Sequence, residues 1–144
     1  MVSERSDPFA QFNFIVELDG IEVAGFTEVG GIAAESDVIE YREGADTPTV
    51  RKLPGLLSYS NITLKKGYTT NSELWDWRKT TLDGITERRG GSIILLDEAR
   101  TPVLRWNFVN GWVSKYEGPA LNSTTNEAAI ESIEIAHEGV ELEA

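Results

Sequence analysis

The chain has 144 residues, 24 of them acidic and 13 basic, and its formal net charge at pH 7 is −11. It contains one histidine and no cysteine, which excludes disulfides, zinc–cysteine clusters, thiol nucleophiles and multi-histidine metal sites. The acidic excess argues against general nucleic-acid binding and against adhesion to anionic membranes. No apolar run approaches the roughly 20 residues that span a bilayer, and the polar segment from Met1 to Pro8 predicts no secretion signal.

The charges fall into three blocks along the chain. Residues 1–48 carry a net charge of −9, residues 49–115 carry +5 and residues 116–144 carry −7. Such a chain can neutralise its blocks internally. It can also fold with opposite signs on opposite faces, and each copy would then attract other copies. The sequence leaves both arrangements open.

Short alternating segments separated by Gly, Pro, Asn or Asp predict a mainly β domain. Phe12 to Leu18 is predicted as the first strand, and Asp19-Gly20 as a hairpin turn because both residues tolerate positive φ. Ile21 to Phe26 would be the returning strand. Gly30-Gly31 interrupts the chain, and the next strand contains Val38 to Tyr41.

The middle of the chain changes character twice. Residues 42–55 hold two glycines, two prolines and five charges, which predicts a long exposed loop or hairpin. A strand with alternating apolar residues follows and stops at Gly67. Residues 71–83 have the apolar spacing of a helix, with Thr70 and Glu73 as a capping box and Gly84 just beyond the end.

The last third predicts three more strands. The run Ile93 to Leu96 does not alternate, which indicates a strand covered on both faces. Leu104 to Phe108 and Ile133 to Ile135 alternate. The prediction for residues 1–144 is therefore one domain of about seven to nine strands, a compact two-sheet β-barrel or sandwich with one flanking helix over about residues 71–83.

Few residues are candidates for chemistry. His137 beside Glu138 could serve as the general base of a small β-barrel hydrolase, but no nucleophile can be assigned to it. The tryptophans could serve a carbohydrate-binding module. Asp97-Glu98 marks a turn better than a cation site. We therefore expect a non-enzyme without catalytic residues, metal or cofactor.

A series of short motifs extends from about Asp7 to Val140, and their order and spacing are specific. The first are Asp7-Pro8, Phe12-Asn13-Phe14, Ala24-Gly25-Phe26-Thr27-Glu28-Val29, Ile39-Glu40-Tyr41-Arg42-Glu43-Gly44 and Val50-Arg51-Lys52-Leu53-Pro54-Gly55-Leu56. The others are Asn61-Ile62-Thr63-Leu64-Lys65-Lys66-Gly67, Leu74-Trp75-Asp76-Trp77, Ile94-Leu95-Leu96-Asp97-Glu98, Lys115-Tyr116-Glu117-Gly118-Pro119, and Asn126-Glu127 through Ala136-His137-Glu138-Gly139. In these motifs the chain resembles the tail tube protein family of contractile phages and related contractile injection systems. The haemolysin-coregulated protein of type VI secretion systems is similar in fold.

The resemblance implies a structural subunit. Its partners would be copies of itself, in hexameric rings stacked into a hollow tube, together with a sheath protein and with baseplate or initiator and terminator proteins. Sheath contraction would drive the tube out, and DNA or effector cargo would pass through it without specific binding. The tube would belong to a virion or injection particle assembled in the bacterial cytoplasm. A tube-initiator or baseplate subunit of the same fold is the alternative within the same machine.

Two groups of residues are candidates for the work of such a subunit. The exposed segment 42–55 would contact the adjacent ring through paired charges and buried apolar side chains. Those residues are Arg42, Glu43, Asp46, Val50, Arg51, Lys52 and Leu53. The acidic residues Glu131, Glu134 and Glu138 are candidates to face the channel, where they would repel DNA or acidic effectors.

Overall fold

The computed structural model describes residues 13–23, 25–42, 44, 49–69, 71–124 and 128–143. These ranges form ten strands and one helix, somewhat more strands than the seven to nine predicted. In chain order they are β1 (Phe14–Leu18), β2 (Ile21–Val23), β3 (Phe26–Gly30), β4 (Ala34–Tyr41), β5 (Arg51–Tyr59), β6 (Ile62–Gly67), α1 (Glu73–Leu82), β7 (Arg89–Leu96), β8 (Pro102–Glu117), β9 (Ile130–Ala136) and β10 (Gly139–Glu143).

Eight strands form one antiparallel sheet, and β4 and β5 form a separate two-stranded hairpin. The sheet has the order β2-β1-β7-β8-β9-β6-β3, and β10 also pairs with β8. The first half of the 16-residue β8 pairs with β7 and β10, and its second half pairs with β9. The edge strands β2 and β3 do not pair with each other in the described residues, so the sheet is not closed into a barrel.

The core lies between the two halves of this sheet. Val16 and Ile93 from one half belong to the same buried cluster as Leu64, Ile133 and Ile135 from the other. Their spacing is the predicted alternation, in which every second side chain points inward. The mainly β fold with one helix is confirmed, and its layers are those of a sandwich.

Strand β7 is covered on both faces, as its unbroken apolar run predicted. Ile93 and Ile94 are neighbours in the chain and therefore point to opposite faces, yet both are buried. Only Ile93 belongs to the cluster between the two sheet halves.

Helix α1 packs on the sandwich through Leu74 and Trp77, which are buried. The capping-box prediction is wrong: the N-cap is Ser72, and the Glu73 backbone N–H donates to the Asn71 side-chain oxygen at 2.9 Å. Thr70 lies outside the described residues. Gly84 follows the helix end with φ +85°, as predicted. At ten residues, this helix is too short and too polar to cross a membrane.

The predicted returning strand is shorter than expected. Asp19 and Gly20 form the predicted turn with positive φ at both residues. β2 ends at Val23, because Gly25 at φ +91° redirects the chain. β3 then pairs with β6 at the far edge of the sheet, rather than with β1.

Candidate assembly surfaces

The β4–β5 hairpin is the most exposed structured element of the described chain. All eight residues of β4 are exposed, and most of β5 is exposed as well. The exposed side chains include Leu56 at 79% and Leu57 at 70% of their full accessible area. An isolated two-stranded hairpin is marginal in water, and a cluster of exposed apolar side chains marks an interaction surface.

Both faces of the hairpin carry apolar side chains. Ile39 lies opposite Leu53 on one face, and Val38 lies opposite Pro54 on the other. The register shifts between Ser36 and Val38, because β5 has one extra residue there. Leu57 shares the face of Val38, while its chain neighbour Leu56 points to the face of Ile39. Neither face is covered by the rest of the described chain.

The predicted inter-ring residues lie toward the tip of this hairpin. Arg51, Lys52 and Leu53 begin β5, so the loop predicted over residues 42–55 is partly strand. Arg51 lies opposite Tyr41 and Lys52 opposite Glu40, on opposite faces. Arg42 and Val50 flank the tip and are exposed. Glu43 and Asp46 lie outside the described residues.

Three basic residues near the tip of the hairpin have no acidic partner among the described residues. No ion pair or side-chain hydrogen bond involves Arg42, Arg51 or Lys52 in the part of the chain that the structure describes. These charges are therefore available to a neighbouring molecule.

The base of the hairpin is anchored to the sandwich at two points. The Nε2 atom of His137 lies 2.9 Å from the Ser60 carbonyl oxygen and donates to it, because a carbonyl only accepts. The His137 ring also contacts the rings of Tyr59 and Phe108. Gly31, at φ +83°, packs against the backbone of Asn61, and a Cβ atom there would collide with the Asn61 carbonyl oxygen.

These contacts give His137 a structural position at the hairpin base. The described residues contain no group of three or more His, Asp or Glu side chains that could hold a metal ion.

The three predicted channel carboxylates do not share a face. Glu131 is 2% exposed and lies on the core side of β9 with Ile133, whereas Glu134 lies on the outer side. Glu138 follows β9, where it accepts a hydrogen bond from the Asn110 side chain at 2.8 Å and pairs with Arg88. Every second residue of a strand points to the same face, so the alternation that puts Ile133 and Ile135 in the core also puts Glu131 there. The prediction of a channel position followed the charge of Glu131 and not this alternation.

The outer face around Glu134 is polar and carries two ion pairs, while Glu117 on the same face has none among the described residues. Lys115 lies opposite Glu134, with its amino group 3.7 Å from the carboxylate. Lys65 pairs with Glu28 at 3.4 Å. A cleft of about 300 Å³ lies on this face, lined by Thr63, Lys65, Lys115, Glu117, Ser132, Ile133 and Glu134. We call the outer surface of β3, β6, β9 and the second half of β8 the polar face.

A larger cavity of about 870 Å³ lies between the end of β6, the start of α1 and the end of β8. We call it the aromatic cavity, and its lining residues are Tyr68, Thr69, Asn71, Ser72, Trp75, Tyr116, Gly118, Pro119 and Glu131. Trp75 meets the Tyr116 ring edge-on at 5.1 Å between centroids. The Tyr116 hydroxyl donates to Glu131 Oε2 at 2.6 Å. The sequence did not reveal this cavity, because its lining residues come from three stretches that are far apart in the chain, residues 68–75, residues 116–119 and Glu131.

Tyr116 is electrostatically tied to Glu131. Burial raises the pKa of the Tyr116 phenol above its ordinary value of about 10, and the hydrogen bond to Glu131 and that carboxylate's charge raise it further. The second carboxylate oxygen, Oε1, is buried and has no hydrogen-bond partner among the described residues. The hydrogen bond from the Tyr116 phenol therefore offsets part of the free-energy cost of burying this carboxylate.

Replacing Tyr116 by Phe should lower the free energy of unfolding by about 1–3 kcal/mol at pH 8, because both oxygens of Glu131 would then be buried and unbonded. Urea unfolding measures this. Tyr68→Phe is the matched control, since Tyr68 lines the same cavity but is exposed. Equal stability of Tyr116→Phe and the wild type would contradict the role of the bond.

The difference in unfolding free energy between the wild type and Tyr116→Phe should also depend on pH. A phenol whose pKa is higher in the folded than in the unfolded chain stabilises the fold fully below about pH 10, and that contribution is lost as the pH rises further. The stability difference between wild type and Tyr116→Phe should therefore stay constant from pH 7 to 9 and narrow above pH 10. A stability difference that grows above pH 10 would show that folding does not raise the pKa of Tyr116.

Comparison with known proteins places the fold. The family model described as T4-like virus tail tube protein gp19 matches residues 10–141. The chain is similar to a protein of the PVC sheath–tube complex, an extracellular contractile injection system in its extended state, with 29% identity, a TM-score of 0.83, and 95% of this chain and 92% of that chain covered. No curated protein matches the chain in sequence.

Two further solved structures extend the comparison. A chain of the anti-feeding prophage cap, a tube-terminating cap, is 28% identical with a TM-score of 0.87, covering 99% of this chain and 95% of that chain. Hcp1 from Flavobacterium johnsoniae is 14% identical with a TM-score of 0.58 over 91% of this chain and 94% of that chain, and therefore shares the fold.

The sandwich, its protruding hairpin and these relatives define a structural subunit of a tail tube. The chain belongs to the T4-like virus tail tube protein gp19 family, whose model covers nearly its whole length. It is a tail tube protein of the kind found in contractile injection systems, with the fold of the Hcp proteins. The resemblance stated from its motifs is confirmed.

Proposed function

We propose that six copies of this chain form a ring and that the rings stack into a hollow tube, with the β4–β5 hairpin making the contact between rings. The observation that supports this most strongly is the hairpin itself. Both of its faces carry apolar side chains, and the rest of the described chain covers neither face. A free subunit gains nothing from such a surface, whereas a stacked one buries it. The basic residues near its tip, which have no partner in the described part of the chain, can add contacts to a neighbouring subunit.

The partners of the tube follow from its relatives. The PVC relative comes from a sheath–tube complex and the anti-feeding prophage relative from a tube-terminating cap. We propose a sheath protein around this tube, a terminator at one end and a baseplate initiator at the other. Assembly would take place in the bacterial cytoplasm, and sheath contraction would drive the tube out of the particle.

We further propose that the polar face lines the channel, with Glu134 as the channel residue from the predicted set. Its carboxylate is paired with Lys115, and Lys65 is paired with Glu28. A wall on which most charges are paired attracts cargo of either sign weakly, because the opposite charges of each pair largely cancel at the distance of a passing molecule. DNA or effector proteins would pass without specific binding. The buried Glu131 is not part of this wall.

The test is negative-stain electron microscopy of the purified full chain. Rings or tubes of uniform width support the proposal. Single rings that never stack would indicate an initiator or baseplate subunit instead. A protein that stays monomeric at high concentration, and that no sheath or baseplate partner recruits, overturns the proposal.

Reversing the charge of Arg51 and Lys52 together to Glu should leave rings intact and shorten or abolish tubes. Both side chains are exposed and unpaired in the described chain, so folding does not depend on them. Tube length distributions from micrographs measure the effect. Lys79→Glu, on exposed helix surface away from the hairpin, is the control. Unchanged tube length in the double variant would remove these two residues from the contact.

A further inference from the structure

His137 holds the base of the β4–β5 hairpin against the sandwich. It stands between β9 and β10, and its ring lies 5.8 Å from the Tyr59 ring of the hairpin and 6.0 Å from the Phe108 ring of β8, measured between centroids. Its Nε2 atom donates to the Ser60 carbonyl oxygen at 2.9 Å. Among the described strands, β4 and β5 pair only with each other, so the direction of the hairpin depends on the contacts at its base.

The other ring nitrogen of His137, Nδ1, is buried and has no hydrogen-bond partner among the described residues. Because Nε2 carries the proton donated to the Ser60 carbonyl, Nδ1 is the atom that must accept any further proton. The new N–H would find no acceptor there, and its positive charge would be kept from water, which is costly. The ring must therefore leave its place at the hairpin base to take up that proton.

The groups around His137 do not offer a counter-charge to the buried nitrogen. Tyr59 is the titratable side chain that contacts the ring from the hairpin. The carboxylate of the neighbouring Glu138 accepts from the Asn110 side chain at 2.8 Å and pairs with Arg88 at 3.5 Å. No ion pair of His137 is present in the part of the chain that the structure describes.

We propose that His137 is a pH-sensitive latch, which holds the hairpin base while it is neutral and releases it when it is protonated. It is the one histidine of the chain, and an imidazole in water takes up its proton near pH 6.5. The opened base binds one proton more than the closed base, so acid favours the opened base. The latch belongs to a single subunit and stands whether or not rings stack. It adds a condition to stacking, since a hairpin without a fixed direction makes a weaker contact.

Amide hydrogen exchange of the dilute, unassembled chain measures the opening. The Ser60 amide donates to the Ala33 carbonyl at the hairpin base, and a two-stranded hairpin without its anchor is marginal in water. Protection of this amide, relative to an open peptide at the same pH, should fall by up to about tenfold between pH 7.5 and pH 5.5. The amides of Leu64 and Ile133 in the sandwich should keep their protection. An unchanged Ser60 amide would overturn the latch.

Two variants separate protonation from the loss of the contact. In His137→Gln the side-chain amide still donates to the Ser60 carbonyl but takes up no proton, so hairpin protection should be equal at both pH values. His137→Ala removes the donor, so protection should be low at both. A pH response that persists in His137→Gln would overturn the latch, because another group would then be titrating. If Gln behaves like Ala, the comparison of Ser60 with Ile133 within the wild type still decides.

Assembly gives a second readout. Wild-type tubes formed at pH 7.5 should shorten or dissociate at pH 5.5, whereas tubes of His137→Gln should persist, and electron microscopy with sedimentation measures both. Tubes of the two proteins that are equally stable in acid would overturn the link between the latch and stacking. Failure of the wild-type chain to form tubes at pH 7.5 would count against the proposed function, and hydrogen exchange would still test the latch.

Discussion

A variant in which both Leu56 and Leu57 are replaced by Ser should fail to form tubes while its subunit stays folded. The two side chains are 79% and 70% exposed in the subunit, so folding gains almost nothing from them. They point to opposite faces of the hairpin, so the variant weakens the contacts of both faces at once. Burying a leucine stabilises a contact by about 1.5–3 kcal/mol. Losing two corresponds to a roughly 10²- to 10⁴-fold weaker contact per subunit.

Sedimentation and electron microscopy measure the loss of tubes, and thermal unfolding shows that the subunit is intact. Ile85→Ser is the matched control, because Ile85 is 80% exposed and lies outside the hairpin. Tubes of normal length from the leucine variant would refute the hairpin's role. Equal loss of tubes in the control would show that any exposed apolar residue matters, and not this hairpin in particular.

A second substitution, Gly31→Ala, should destabilise the subunit by about 3 kcal/mol or more. The residue sits at φ +83°, where a side chain costs about 1–2 kcal/mol. The added Cβ would also collide with the Asn61 carbonyl oxygen, which is backbone and cannot rotate away. Relieving the collision must shift the hairpin base away from the start of β6.

Gly20→Ala separates the two causes of this loss. Gly20 has nearly the same φ, +78°, but open space around the position of a Cβ atom. It should therefore cost only the conformational part, about 1–2 kcal/mol. Urea unfolding of both variants gives the difference, which is the cost of the collision. Equal destabilisation by the two substitutions would show that the Gly31–Asn61 approach is unimportant.

The strands of the sandwich were largely predictable, because their signal is local. Alternation in β1, β6 and β9 places Val16, Leu64 and Ile133 inward without knowledge of any partner strand. The unbroken apolar run of β7 likewise indicated burial on both faces. The helix was predictable from the spacing of Leu74 and Trp77.

Other features depend on partners distant in the chain, and the sequence did not show them. The Glu73 backbone N–H donates to the side chain of Asn71, a residue of the same short polar type as the expected Thr70, and residue type alone does not select between such neighbours. The pairing of β3 with β6 and the extra residue in β5 are matters of register. The aromatic cavity arises only when the ends of β6 and β8 and the start of β9 meet at α1.

The placement of the hairpin at one end of the sandwich has a consequence for any filament built from this subunit. If rings stack head to tail, as the proposed hairpin contact requires, the hairpins stay uncovered at one end of the filament only, so its two ends present different surfaces to solvent. The filament would then grow with a defined polarity, and a capping protein that fits one end would not fit the other. A particle built on such a filament would therefore need two different terminal proteins, one that covers the exposed leucines and one that supplies the first ring.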